Sequence, residues 1–377
     1  MGYVAVKGGL SAIQAAESLV QRGRLEGQSP LLQIEQIVEQ QRLVVDQIMG
    51  EAGLYDEKLA ALAFKQAEGD ITEAVFLLRA YKSTLERVGY SLPIDTEKMV
   101  VFRRISSAFK SIPGGQLLGR TRDYTQRLLD YALLTETKQN QAAVALEEKA
   151  APPRRFSRVS DVLRGDGLLA PLEPSNEKEP FDVTRESLKF PAPRSAVLQT
   201  LARGESGAMV AFGYSSMRGY GAVHPTISEL RYGKAPVEFQ HPITGNPVRI
   251  GYVRLTEVEG ISHAYNSEGK GGEETTMGNA GEERDDEKAK PLFELGYGLV
   301  YGQNERKAIS MAILDKALEL GGNSPTGDQE FVLYHVDSVE SSGYVEHLKL
   351  PHYVTFQSNL DRAREERRLA FEKEMQK

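Results

Sequence analysis

Two histidines near the C-terminus have a spacing that could bind a metal ion. His347 is the first and His352 the last residue of the segment HLKLPH, in which Pro351 requires an extended or bent backbone. On such a backbone both imidazoles can reach one zinc ion at about 2.0–2.1 Å. Two histidines make only half of a site, and His335, Asp337, water or another subunit could complete it. The residues alone are consistent with either a zinc half-site or an ordinary turn.

A glycine- and tyrosine-rich loop at residues 214–225 could bind a nucleotide. We expect it to leave a strand at residues 209–212, and loops positioned by a sheet often carry functional residues. Tyr220 could stack on a base, Arg218 could pair with a phosphate, and His224 adds an imidazole to the same loop. A purely structural loop is equally consistent with the pattern.

Two further glycine-rich segments could bind phosphate. Residues 114–121 read GGQLLGRT, which has the spacing of a phosphate loop but Arg120 in place of its lysine. The residues before it are too polar for a buried parallel strand, so a glycine turn before a helix is favoured. Residues 296–302 precede a helix predicted to start at Asn304, where Arg306 and Lys307 could bind an anion. A plain strand–turn–helix is the alternative for this second segment.

Periodicity predicts the elements that would position these groups. Asp70 and Glu73 form a helix start, and apolar residues follow at steps of three and four. After residue 205 the apolar period falls towards two, which indicates strands around residues 248–252 and 295–301. The helix from Asn304 should end at Gly321.

The predicted fold is therefore mixed α+β, with separate helical and sheet-containing parts. The lobes would be joined by a proline-rich exposed segment, and one acidic, glycine-rich stretch has too few apolar residues to order itself. The predicted divisions are a mainly helical N-terminal lobe at 1–135, a linker at 136–193, an α+β lobe at 194–359 with a flexible insertion at 266–290, and a charged helix at 360–377.

Composition excludes several classes of protein. The 377 residues carry 46 Lys and Arg against 53 Asp and Glu, a net charge of −7, so we expect neither nucleic-acid binding nor a polybasic membrane arm. No apolar run reaches the roughly 18–20 residues of a membrane span, and no secretory signal is expected. Cysteine is absent, so this chain supplies no disulfide, thiolate nucleophile or Cys-ligated iron–sulfur cluster. A cytoplasmic location is expected.

Several segments together resemble subunit I of the bacterial carbon–phosphorus lyase core complex, the PhnI family. They span nearly the whole chain in order. The matching segments are YVAVKGG at 3–9, IPGGQLLG at 112–119, RGYG at 218–221 followed by His224 and Pro225, ERKA at 305–308, and VEHLKLPHY at 345–353.

The resemblance implies an enzyme subunit in phosphonate breakdown. Members of the family take part in replacing the adenine of ATP by an alkylphosphonate such as methylphosphonate, which gives ribose 1-methylphosphonate 5-triphosphate. This is a transferase reaction, and the subunit alone is expected to release the base from ATP or GTP as a nucleosidase. The implied partners are subunits G, H and J and the ABC-type subunits K and L, in a larger hetero-oligomer with two copies of this chain. Mg²⁺ could accompany ATP.

Our own hypotheses for the catalytic groups follow from that reaction. A displacement at the anomeric carbon needs an acid for the departing purine and positive charge for the triphosphate and the phosphonate. The predicted catalytic residues are His224 and Arg218, and the predicted substrate-binding residues are Lys7, Tyr220, Arg306 and Lys307.

The resemblance also implies a zinc ion on His347 and His352, at the contact with subunit J. Subunit J is the radical protein that carries the cysteines and the iron–sulfur cluster. A chain without cysteine fits that division of labour. The alternative function is a non-catalytic scaffold that supplies these two metal ligands to subunit J.

Overall fold

The computed structural model describes residues 8–137, 156–169, 179–221, 224–263 and 293–376. Lys7, the insertion at 266–290 and much of the predicted linker lie outside these ranges. None of the described helices combines the length and apolar character needed to cross a bilayer. The helices are α1 Gly9–Leu25, α2 Ile34–Gln40, α3 Arg42–Ala52, α4 Glu57–Gln66, α5 Ile71–Ser83, α6 Val159–Gly165, α7 Arg194–Arg203, α8 Ser206–Ser215, α9 Glu305–Leu320, α10 Gln329–His335, α11 Ser338–His347 and α12 Tyr353–Met375.

Helices α2 to α5 form a small bundle with its own apolar core. Ile37, Ile48 and Met49 are fully buried there, and the cluster continues through Val75 on α5. The Asp70 carboxylate accepts a hydrogen bond from the Glu73 amide at 3.0 Å, which confirms the predicted start of α5. The preceding helix α1 buries none of its residues in the described chain.

Four antiparallel strands form one sheet in the order β1-β2-β3-β4. Strand β1 comes from the N-terminal part of the chain, where Arg104 pairs with Arg231 and Ile105 with Leu230. The strands β3 and β4 confirm the predictions at 248–252 and 295–301. Their bounds are β1 Val100–Ile105, β2 Thr226–Gln240, β3 Pro247–His263 and β4 Phe293–Tyr301.

The two faces of this sheet differ in chemistry although both are buried. Leu230, Val258 and Val300 pack against α7 and α9 in the largest apolar core. The opposite face, here called the charged face, lies under two segments, one that contains Thr96 and one that contains α6. The charged face consists of Arg104, Glu229, Arg231, Glu257, Glu259 and Tyr297.

The mixed fold is confirmed, and one predicted strand is wrong. Residues 209–212 lie inside helix α8, because Glu205 caps the amides of Gly207 and Ala208 and starts a helix there. Helix α9 begins after its cap Asn304 and ends at Gly321, as predicted. The charged C-terminal helix is also present as α12, and none of its described residues is buried. The division into lobes and linker stays a prediction.

Candidate functional site

The two C-terminal histidines face each other across a helix–turn–helix. His347 ends α11, His352 precedes α12, and their Nε2 atoms lie 3.4 Å apart. Two nitrogens that bind one tetrahedral zinc at about 2.05 Å are separated by about 3.3 Å. The His352 Nδ1 lies 2.7 Å from the Leu350 carbonyl oxygen, which can only accept, and a ring that donates there through Nδ1 presents Nε2 to a metal ion.

This histidine pair fits zinc but makes only part of its coordination shell. Among the described residues, no third His, Asp or Glu joins it to form a metal-binding group. Asp337, considered above as a further ligand, is instead paired with Arg79 at 2.7 Å and caps α11. His335 lies on α10 with its Nδ1 2.6 Å from the Phe331 carbonyl oxygen. The remaining ligands would therefore come from water, from another chain or from residues outside the described ranges.

The predicted nucleotide loop leaves a helix rather than a strand. Arg218 and Tyr220 lie in a π-helical turn, Ser216–Tyr220, that continues α8, and His224 lies just before β2. All three side chains are exposed. The turn contacts α9 and residues 325–327, so a rigid base supports the exposed groups.

The predicted cations on α9 differ in accessibility. Arg306 is exposed, whereas Lys307 is among the largest fully buried side chains and its Nζ has no hydrogen-bond partner among the described residues. Burial lowers the pKa of Lys307 to about 8, although the nearby Glu51 carboxylate acts in the opposite direction. Lys307 therefore does not reach solvent in this structure.

The predicted substrate residues of the loop with Arg218 lie apart from Arg306 at the start of α9. The Asn304 amide group bonds the Ser206 hydroxyl at 3.0 Å, and Gly213 packs on Ser310, so α8 and α9 run side by side in the same direction. The turn with Arg218 thus lies beside the second half of α9, and Arg306 lies at its start. At 1.5 Å per residue the two positions are on the order of 13 Å apart along the helix.

The glycines before α9 serve close packing. A Cβ on Gly296 or Gly298 would overlap a carbonyl oxygen of α9, and one on Gly302 would overlap the Asp46 carboxylate. The backbone amide of Gln303 donates to Asp46 Oδ2 at 2.9 Å. Protein groups therefore occupy this helix start, and the strand–turn–helix interpretation accounts for the glycine spacing.

The glycine turn at residues 114–121 is also structural. The buried Arg104 guanidinium donates to the carbonyl oxygens of Pro113 at 2.6 Å and Gly115 at 3.0 Å. No α-helix begins between residues 119 and 137, so the turn neither caps a helix, as expected above, nor presents the helix start that a phosphate loop needs.

Sequence reasoning missed the charged face as a set of interacting ionisable groups. Glu257 Oε1 accepts hydrogen bonds from the Thr96 hydroxyl and the Tyr297 hydroxyl, both at 2.8 Å. Burial would raise the pKa of Glu257, but the guanidinium of Arg231 holds it below its usual value. Burial, together with the charge of Glu257, raises the pKa of Glu259 to about 7. The alternating charges in β2 and β3 were the available signal, but they also suit a solvent-facing side.

Comparison with known proteins shows the family to which this chain belongs. Residues 2–370 match a family described as bacterial phosphonate metabolism protein (PhnI), and the chain belongs to that family. It is 47% identical to the putative C-P lyase subunit protein HtxH of Stutzerimonas stutzeri, over 97% of this chain and 95% of that protein.

Two other relatives carry a fuller name. The chain is 45% identical to the alpha-D-ribose 1-methylphosphonate 5-triphosphate synthase subunit PhnI of Rhizobium meliloti (strain 1021), over 97% of this chain and 95% of the relative. It is 44% identical to the protein of the same name from Escherichia coli (strain K12), over 95% and 96%. The resemblance inferred from the sequence segments is confirmed.

Proposed function

We propose that this protein is a subunit of the synthase that makes ribose 1-methylphosphonate 5-triphosphate, within a carbon–phosphorus lyase complex. The observation that carries the proposal is the family match over residues 2–370, joined by two relatives of at least 44% identity that are named as this synthase subunit. The proposed reaction displaces adenine from ATP by methylphosphonate. Subunits G, H, J, K and L are the proposed partners, and the cytoplasm is the proposed location.

The exposed loop supplies the proposed chemistry. Adenine leaves more easily when a proton reaches its ring nitrogen, and His224 is the proposed acid. Tyr220 offers a ring for stacking on the purine, and Arg218 offers a fork for phosphoryl or phosphonate oxygens. Because Arg306 lies about 13 Å along α9 from this loop, it would contact a different part of the substrates.

The two other proposed substrate-binding cations are Lys307 and Lys7. Lys307 is buried, so it would reach the triphosphate only if the start of α9 opened. Lys7 lies outside the described residues. The proposed site therefore depends first on Arg218, Tyr220 and His224.

The test is chromatography of ATP after incubation with the purified chain, alone and with subunits G, H and L and methylphosphonate. We expect adenine to be released, and His224→Ala to slow the release by about 10²–10⁴-fold. His241→Ala, at a half-buried histidine whose Nδ1 accepts hydrogen bonds from two backbone amides of the β2–β3 turn, is the control away from the loop and should keep the wild-type rate. Adenine release that persists unchanged in both His224→Ala and Arg218→Ala would refute these roles.

The second candidate function is a scaffold that lends zinc ligands to subunit J. The specific observation in its favour is the exposed pair of imidazoles 3.4 Å apart, which needs ligands from elsewhere. Zinc bound there would act as a Lewis acid or organise the contact between the chains. If the chain never releases adenine with any combination of partners, while His347→Ala abolishes zinc binding by the assembled complex, the scaffold function is supported.

A further inference from the structure

A cleft of about 500 Å³ lies between the segment 183–188 and the helices α7, α10 and α11. Its volume is in the range of small-molecule sites, which is about 300–1,000 Å³. None of the residues assigned above to the substrates or to zinc lines it. This cleft, called here the α7–α10 cleft, is therefore a separate place to search for a ligand.

Arg203, the last residue of α7, lines the cleft without a charge partner. Its guanidinium makes no hydrogen bond or ion pair within the described parts of the chain, and its Nε is buried. Burial lowers the pKa of Arg203, and the positive charge of Arg79 lowers it further. An arginine that is half-buried and unpaired destabilises the folded chain, because its charge has lost water without gaining a partner.

Other charged groups lie near Arg203. Lys82 lies close by, with its ammonium donating to the Gly53 carbonyl oxygen at 2.8 Å. Burial lowers the pKa of Lys82, and the charge of Arg203 is the next cause. Arg185 adds an exposed guanidinium at the rim of the cleft, 3.9 Å from the Asp182 carboxylate. The lining includes carboxylates as well as arginines, so individual unpaired donors rather than net charge would hold an anion there.

Three acidic residues also line the cleft, and their charges are placed differently. Asp337 receives two hydrogen bonds from Arg79, at 2.8 and 2.7 Å, so its charge is already neutralised. Glu186 and Glu340 are exposed at the rim. None of the three carboxylates forms an ion pair with Arg203.

A second polar group of the cleft also lacks a partner. The Thr200 hydroxyl oxygen is buried and has no hydrogen-bond partner in the described chain. Thr200 precedes Arg203 by three residues on α7, so both side chains lie on one face of that helix. Ser187 adds a further hydroxyl, and Tyr334 adds an aromatic ring. Guanidinium and hydroxyl donors on one surface match the oxygen atoms of a phosphoryl or phosphonate group.

We propose that the α7–α10 cleft binds a small ligand through a phosphate or phosphonate group, with Arg203 and Thr200 as its principal donors. The site is separate from the histidine pair and from the loop with Arg218. It does not rest on the proposed base displacement, since it follows from the unpaired donors and the size of the cleft. The group could belong to a free phosphonate or phosphate or to a nucleotide.

The test is isothermal titration of the full chain with inorganic phosphate, methylphosphonate and ATP, each in separate runs. Arg203→Met removes the guanidinium and should weaken binding about 10–100-fold, as expected for the loss of a charged hydrogen bond. Thr200→Val removes one neutral donor at nearly constant volume and should weaken binding about 2–10-fold. Lys189→Met, an exposed cation of the neighbouring segment that does not line the cleft, should bind as the wild type does.

Stability distinguishes a binding role from a structural one. Because the Thr200 hydroxyl has no partner, Thr200→Val should leave the melting temperature of the unliganded chain unchanged or raise it. Weaker binding of any of the three probes in a chain of undiminished stability supports the proposal, and the affected probe shows which source of the group is bound. Affinities that stay unchanged in both variants, or fall equally in Lys189→Met, would overturn it.

Discussion

The charged face and the α7–α10 cleft both contain arginines that are shielded from solvent, and these arginines differ in how they are paired. On the charged face, Arg104 is paired with Glu229, and the Arg231 Nε donates to Glu257 at 3.1 Å. In the α7–α10 cleft, Arg203 has no such partner among the described residues. A paired buried charge can hold strands and turns in place, whereas an unpaired one lowers stability and is useful only if something binds to it.

The charged face shows what pairing achieves. Arg104 joins four segments, because its guanidinium also bonds the turn after β1 and the Ser157 carbonyl oxygen, while Glu229 accepts from the Val159 amide at 3.1 Å. Without these bonds, the covering segment that contains α6 would lose part of its attachment to the sheet. Replacing an arginine should therefore change the stability of the fold differently in the two regions.

The largest effect is expected from Arg104→Met. Removing one member of a buried ion pair leaves Glu229 buried without its arginine, so the free energy of unfolding should fall by about 3–5 kcal/mol. Urea denaturation at pH 7 measures this. Lys110→Met, an exposed cation shortly after β1, should change it by less than about 0.5 kcal/mol. The double variant Arg104→Met with Glu229→Met should recover a large part of the loss, and no recovery would show that the pair itself is not the cause.

The next effect concerns Glu259, the member of the charged face without full pairing. Its pKa is raised to about 7, so between pH 4.5 and 7 the folded chain keeps a proton that the unfolded chain releases. Stability contributed by this group is present at low pH and is lost as pH rises through 7, by about 3 kcal/mol at most.

Glu259→Gln isolates that contribution. The amide is neutral at every pH and can still accept from the Ser160 hydroxyl, which lies 2.9 Å from Glu259 Oε1. Urea denaturation between pH 5 and 8 should show the variant becoming more stable than the wild type as pH rises. If the difference between the two proteins does not change with pH, Glu259 is ionised throughout.

At the cleft, substitution of the paired Arg79 and of the unpaired Arg203 should affect stability differently. Arg79→Met breaks an ion pair with Asp337 and bonds to two backbone carbonyls, so a loss of about 2–3 kcal/mol is expected. Arg203→Met removes an unpaired cation and keeps most of its apolar stem, so stability should stay the same or rise by up to about 1 kcal/mol. Equal losses in both variants would remove the contrast between paired and unpaired arginines.

The sequence predicts the elements whose signals are local. Asp70, Asn304 and Gly321 mark helix ends through hydrogen bonds or backbone angles that neighbouring residues determine. Residues 209–212 form a short apolar run that suits a strand or a helix, and the cap at Glu205 decides for the helix. The packing role of Gly296 and Gly298 depends on a helix that approaches the strand in three dimensions.

The candidate sites also differ in whether local sequence signals predict them. The pairing of His347 with His352 follows from a short bent segment, so it was predictable from the residues and the family resemblance. The charged face and the cleft join side chains from distant parts of the chain, as Thr96 joins Glu257 and Arg79 joins Asp337. Alternating charges in a strand indicate water on that face unless the covering segment is known, and here the covering segment is only partly helical.

The smallest effect on folding is expected at the exposed histidine pair. Without metal, His347→Ala should change the free energy of unfolding by less than about 0.5 kcal/mol, because neither imidazole is buried. With zinc at one hundred times its dissociation constant, the wild type should gain about 2.7 kcal/mol from linkage, and His347→Ala should gain much less. His241→Ala should respond to zinc as the wild type does. A wild-type melting temperature that zinc does not raise, in a titration that also detects no bound metal, would mean that these two rings need ligands from another chain before they hold the ion.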